Sequence, residues 1–212
     1  MKKIYFLFVA LLATQITAMA QSPWLMQNVG YNYTSSYPFD IDAVDSNIVW
    51  NCAYVGDGSG ISSQEFSMTT DGGNTWTAGL VTADTNFRFS SISAVNQNMC
   101  YAAMYNNSLG GGGVFKTADM GMTWNQLGAT SIYTDPASFP DVIYFTDTLN
   151  GWTMGDPVGG YFEIYSTTDG GATWTRVPQA NITAPLNGEY GIVNDYTVLG
   201  NKIWFEIGRA HV

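Results

Sequence analysis

The sequence predicts an all-β chain of four-stranded antiparallel blades, an incomplete β-propeller. Three observations predict it. Residues 69–76, 117–124 and 167–174 all fit the octad T-x-D-x-G-x-T-W. The octad tryptophans Trp76, Trp124 and Trp174 are 48 and 50 residues apart, and strand-rich repeats of about that period form propeller blades. Charged residues make up 11% of the chain and aromatic residues 15%, which suits strands covered on both faces by neighbouring sheets.

Each octad reads as a hairpin turn between β-branched and aromatic runs. The carboxylates of Asp71, Asp119 and Asp169 are placed to accept backbone N–H groups of their own turn. Gly73, Gly121 and Gly171 fill the position that needs positive φ. Thr75, Thr123 and Thr173 restart a strand, and each Trp offers an apolar face to a neighbouring unit. These residues are therefore read as a structural staple rather than as ligands or catalysts.

In chain order, the start is Met1-Lys2-Lys3, then an apolar run at 4–13 and the small-residue pattern Ala18-Met19-Ala20. A run of ten is too short to span a bilayer. Residues 1–20 are read as a secretory signal peptide cut before Gln21. No membrane insertion is expected after cleavage. Residues 23–29 look like an outer strand, with Trp24 lying 52 residues before Trp76. An outer strand ahead of the first blade implies ring closure with the last one, which removes exposed edges.

The first blade divides into strands at 38–44, 48–55, 65–70 and 75–81. The second has 89–95, 99–105, 114–117 and 123–127, and the third 141–145, 152–155, 161–167 and 173–177. Residues 191–199 and 202–207 read as the first two strands of a fourth unit, whose octad would fall near 219. The expectation is thus a partial propeller over 21–207, about three and a half blades. Residues 208–212 fit no strand pattern and read as an artificial or frameshifted tail.

The octads resemble the Asp-box, or bacterial neuraminidase repeat. That box occurs in sialidases, sortilin-type receptors, xyloglucanase-type glycoside hydrolases and photosystem II assembly-factor-like propellers. The wider unit at 142–152, followed by the third octad, is most similar to the last group. It also resembles secreted repeat proteins of the type IX secretion kind. The resemblance covers residues 22–207 and implies the propeller, but spans enzymes and non-enzymes.

Without the signal peptide, 5 basic residues face 17 acidic ones, a formal charge of −12. That balance argues against nucleic acid and anionic membrane surfaces as partners. The single His211 lies in the tail, so neither a His-based triad nor a zinc site can be assembled. No phosphate loop is present, and no metal or cofactor is expected. The 57–60 loop lacks the alternating acids of a calcium site. Cys52 and Cys100 fall on opposite faces of adjacent second strands, compatible with a bridge or with two buried thiols.

Sialidases of this fold grip a carboxylate with three arginines. Here Arg88, Arg176 and Arg209 are scattered, and Phe87-Arg88-Phe89 lacks the Ile-Pro of the sialidase motif. A glycosidase needs two carboxylates at set separation. Asp40, Asp42, Asp141, Asp156 and Glu189 are numerous enough, but no pair stands out.

The favoured expectation is a secreted or surface-displayed binding or scaffold module without catalysis. Its partner would be a polysaccharide, a peptide or another surface protein. The alternative is a carbohydrate-active hydrolase, xyloglucanase-like rather than sialidase-like, whose site further blades complete. In either case the loops opposite the octads carry the chemistry. They hold Asp57, Arg88, Tyr133, Asp135, Asp156, Glu189 and Tyr190.

Overall fold

The computed structural model describes residues 25–59, 61–200 and 202–209. Three four-stranded antiparallel sheets follow one another, each a simple meander. The first blade is β1 (Ser36–Ala43), β2 (Val49–Val55), β3 (Glu65–Thr69) and β4 (Thr77–Leu80). The second is β5 (Phe87–Ala94), β6 (Cys100–Asn106), β7 (Gly112–Thr117) and β8 (Asn125–Leu127). The third is β9 (Pro140–Phe145), β10 (Gly151–Pro157), β11 (Phe162–Thr167) and β12 (Thr175–Arg176). A hairpin of β13 (Glu189–Leu199) and β14 (Lys202–Arg209) follows. Among the described residues the one helical element is a three-residue 3-10 turn at Gln179–Asn181.

The blades stack face to face, and the core lies between them. Trp50, Phe66, Ile92, Met104 and Phe115 fill the space between the first and second blades. Tyr101, Val114, Ile143, Phe145 and Tyr165 fill the next. A smaller cluster of Val142, Met154 and Phe162 meets Tyr196 and Phe205 of the hairpin. Octad tryptophans join these layers: Trp124 lies edge-on to Trp50 at 6.3 Å and against Phe66 at 5.3 Å. Gly121 has φ +81°, and a Cβ there would stand 2.1 Å from the Phe66 ring. Glycine is needed at that site for both its backbone and its lack of a side chain.

The inner strands are sheet edges, so their outward N–H groups need acceptors. The preceding blade supplies them. Asp40 and Asp42 accept the Ile92 and Ala94 amides, each at 2.7 Å. Ser91 and Ser93 accept the Ile143 and Phe145 amides at 3.4 and 3.0 Å. Asp156 accepts the Gly191 amide at 2.7 Å. Register shifts fall at the matching end of each inner strand pair, between Pro38 and Asp40, Phe89 and Ser91, and Met154 and Gly155.

Three expectations are corrected. The fourth strands begin after the octad Trp, not at Thr75, Thr123 and Thr173, because those threonines are held in the turn by the octad aspartates. Leu25–Val29 forms no strand; instead Gln27 accepts the Trp76 indole N–H at 3.2 Å and the Val29 carbonyl accepts the Ser67 hydroxyl. Strand β14 extends to Arg209, which pairs with Glu189, so the pairing carries Gly208 and Arg209 beyond the expected end at 207. The expected signal peptide at 1–20, Trp24 and residues 210–212 lie outside the described residues. No described helix is long and apolar enough to cross a membrane.

Candidate functional site

The two ends of the blades differ in chemistry. At the octad end each aspartate is consumed by its own turn. Asp169 Oδ1 accepts the Thr173 amide at 2.9 Å and the Thr167 hydroxyl at 2.8 Å, while Oδ2 accepts the Thr173 hydroxyl at 2.6 Å. Asp71 and Asp119 repeat the pattern. Those hydrogen bonds favour the ionised form, lowering all three carboxyls, and Asp169 falls to about 2.

The opposite end opens into a cavity of about 590 Å³ near the inner strands. Its walls come from all three blades and the hairpin: Phe39, Tyr54, Arg88, Tyr105, Phe139 and Val193 are among the lining residues. Phe39 and Tyr54 meet at 6.1 Å, and Tyr105 stacks on Phe139 at 4.3 Å. Phe39 and Tyr54 remain 40% and 47% exposed, so ring faces are presented to a ligand. Arg88 donates its Nε–H to the Ser62 hydroxyl at 2.6 Å, which fixes the guanidinium on the wall.

Of the loop residues singled out in the sequence, Arg88 alone lines this cavity. Tyr133 is 2% exposed, shares a 2.8 Å hydrogen bond with the Thr153 hydroxyl, and packs on Tyr165. It anchors the connection to the third blade and offers no surface to a ligand, which corrects its assignment as a binding residue. Asp57 and Asp135 are exposed and accept the Ser59 and Ala137 amides of their own turns. Glu189 accepts the Leu186 amide, and Tyr190 is exposed on the hairpin. Asp156 is tied to Gly191.

Asp40 and Asp42 face the seam, and burial raises both. Asp141 and Asp156 stand together where β9 starts and β10 ends. Burial, then the Asp156 charge, pushes Asp141 up to about 8, and its Oδ2 is buried without a partner. Asp141 is 1% exposed and does not line the cavity. Cys52 and Cys100 are free, buried thiols, and burial pushes both up. Among the described residues no three His, Cys, Asp or Glu side chains group to hold a metal.

The cavity was not legible in the loops alone because most of its rings, Phe39, Tyr54, Phe89 and Tyr105, stand on strands, beside the loop residues Ile61, Ser62, Ser63 and Phe139. One signal was present: Tyr54 and Tyr105, both near the end of a second strand, are 51 residues apart.

No protein-family model matches the chain, and no curated protein matches it either. Solved structures do. An ancestral GH74 enzyme shares 12% identity over 81% of this chain and 27% of its own, with a TM-score of 0.52. The fold is a β-propeller. YCF48 from Cyanidioschyzon merolae is 17% identical over 87% of this chain and 59% of its own, at a TM-score of 0.49. YCF48 bound to D1 peptide is 19% identical over 82% and 55%, at 0.48. The chain spans a little over half the length of these YCF48 propellers and about a quarter of that GH74 enzyme.

Proposed function

We propose that this propeller is an exported, non-catalytic binding module that takes its ligand in the cavity opposite the octads. The observation that carries the reading is the set of uncovered rings, Phe39 and Tyr54 above all, converging beside Arg88 on one cavity. Its size falls in the roughly 300–1,000 Å³ range of small-ligand sites. The signal-like N-terminus supports export, and the net charge of −10 supports a polysaccharide, peptide or surface-protein partner over nucleic acid.

The test is a binding screen of the full chain against immobilised glycans and peptides, with Tyr54→Ala and Phe139→Ala beside it. The variants should lose binding of any hit while melting within a few degrees of the parent. Hits retained by both variants would overturn the assignment of the cavity.

A further inference from the structure

A cavity of about 190 Å³ lies at the seam between the first two octads, lined by Met68, Thr70, Thr75, Thr77, Met120 and Met122. Three methionines thus share one small cavity, and two of them stand where the other octads carry different residues. Met120 takes the place of Gly72 and Gly170, and Met122 that of Asn74 and Ala172. Met120 holds a left-handed φ of +62°, which glycine adopts freely and methionine only at a cost. Met122 is 78% exposed, so burial does not account for its apolar side chain.

The second seam shows what this place in the fold accommodates. Lys116 immediately precedes the second octad, as Met68 precedes the first. The Lys116 ammonium reaches the third octad and donates to the Gly170 carbonyl at 3.0 Å. Burial lowers that amine, and the Asp169 charge opposes the shift. At the first seam the corresponding pair is Met68 and Met120, with Asp119 in the place of Asp169. The first seam therefore has neutral thioethers where the second has a cation of its own. Thioether sulfur is soft and polarisable and selects Cu(I), whereas Mg(II), Ca(II) and Mn(II) prefer oxygen ligands. The formal charge of −10 favours uptake of a cation.

We propose that the thioethers of Met68, Met120 and Met122 form a site for Cu(I), the ion taking the place that the Lys116 ammonium fills at the second seam. The site belongs to the octad end and is independent of the aromatic cavity.

The experiment is anaerobic titration of the full chain with Cu(I), kept reduced by ascorbate, in competition with the chelator bicinchoninate. Carbon-13 at the methionine ε-methyls reports which sulfurs respond. A single Cu(I) should bind, and the methyl signals of Met68, Met120 and Met122 should move together as it does. Met120→Leu and Met122→Leu remove the sulfur and nearly keep the volume. Each should weaken binding at least about tenfold, the loss that removal of even an outer-shell partner of a metal brings. Met68→Lys should abolish binding by supplying the cation internally. The thiols of Cys52 and Cys100 are also soft ligands but are buried, so Cys52→Ala/Cys100→Ala should keep the parent's affinity. Unchanged affinity in Met122→Leu would overturn the proposal. A loss confined to the cysteine variant would overturn it in favour of the thiols, and displacement of Cu(I) by Ca(II) in favour of an oxygen site. Should Met68→Lys not fold, Met122→Leu still decides, because that side chain is exposed. No uptake of Cu(I) by the parent would overturn it outright.

Discussion

Asp169 and Asp141 belong to the same blade and lie at its opposite ends. Asp169 is lowered to about 2 because three donors of its own turn hold the carboxylate. Asp141 is raised to about 8 because it is buried, with Asp156 adding its charge. At the octad end the carboxylates are satisfied by their own turns, although the Trp174 indole N–H there is buried without a partner. The other end leaves Asp141 Oδ2, Ser138 Oγ and Glu163 Oε2 buried without partners and Phe39 and Tyr54 uncovered. The carboxylates thus divide between the ends, held ionised by their own turns at the octads and raised by burial at the other end.

The sharpest way to break this division is Gly121→Ala. Its left-handed φ and the contact with Phe66 should together cost about 3 kcal/mol, read as a lowered urea midpoint. A neutral result would mean the octad end is not rigid. Next is Asp141→Asn. A folded pKa near 8 against about 3.9 unfolded gives stability that is full below pH 4 and is lost as pH rises through 8. The variant should therefore gain on the order of 2 kcal/mol at pH 8.5 and flatten the profile between 4 and 8. A parent profile already flat there would refute the raised carboxyl.

The octad aspartates should show the opposite sign. Their stability is present above the unfolded value and is lost as pH falls through the folded one, near 2 for Asp169. The parent should melt cooperatively at pH 4 and lose stability toward pH 2, and Asp169→Ala should weaken that acid dependence. The smallest effect is Met120→Gly. Met120 has φ +62° where the other two octads have Gly72 and Gly170. Relieving that conformation should stabilise by about 1 kcal/mol in thermal melts.

The blades were legible because octad chemistry is local: one aspartate, its threonines and a glycine specify the turn without help from elsewhere. The short fourth strands were not, since a threonine spent on Asp169 looks in sequence like one starting a strand. Tyr133 was misread for lack of a longer comparison. Tyr31 and Tyr133 are 102 residues apart, as are Ser36 and Ser138, and Glu65 and Glu163 each precede an octad aspartate by six. In the first blade Ser36 bonds Glu65, and Tyr31 bonds Asn51. A repeat two blades long marks these tyrosines as anchors. The cavity could not be read at all from one segment, because Phe39, Tyr105, Phe139 and Val193 meet only after the sheets have stacked.

The inner-strand seams have a direction. Along the inner strands, five bonds have a side chain of the earlier blade as acceptor and a main-chain amide of the later element as donor, while elsewhere the earlier blade donates, Trp50 to the Asn96 carbonyl and Tyr101 and Lys116 to the Gly170 carbonyl. Any strand has amides to give, so the arriving unit needs no particular side chains to be received. The unit that receives it must already carry Asp40 and Asp42, Ser91 and Ser93, or Asp156. Lengthening such a propeller by one blade thus makes chemical demands on the blade being extended and few on the newcomer, an asymmetry that favours growth from the carboxyl-terminal side.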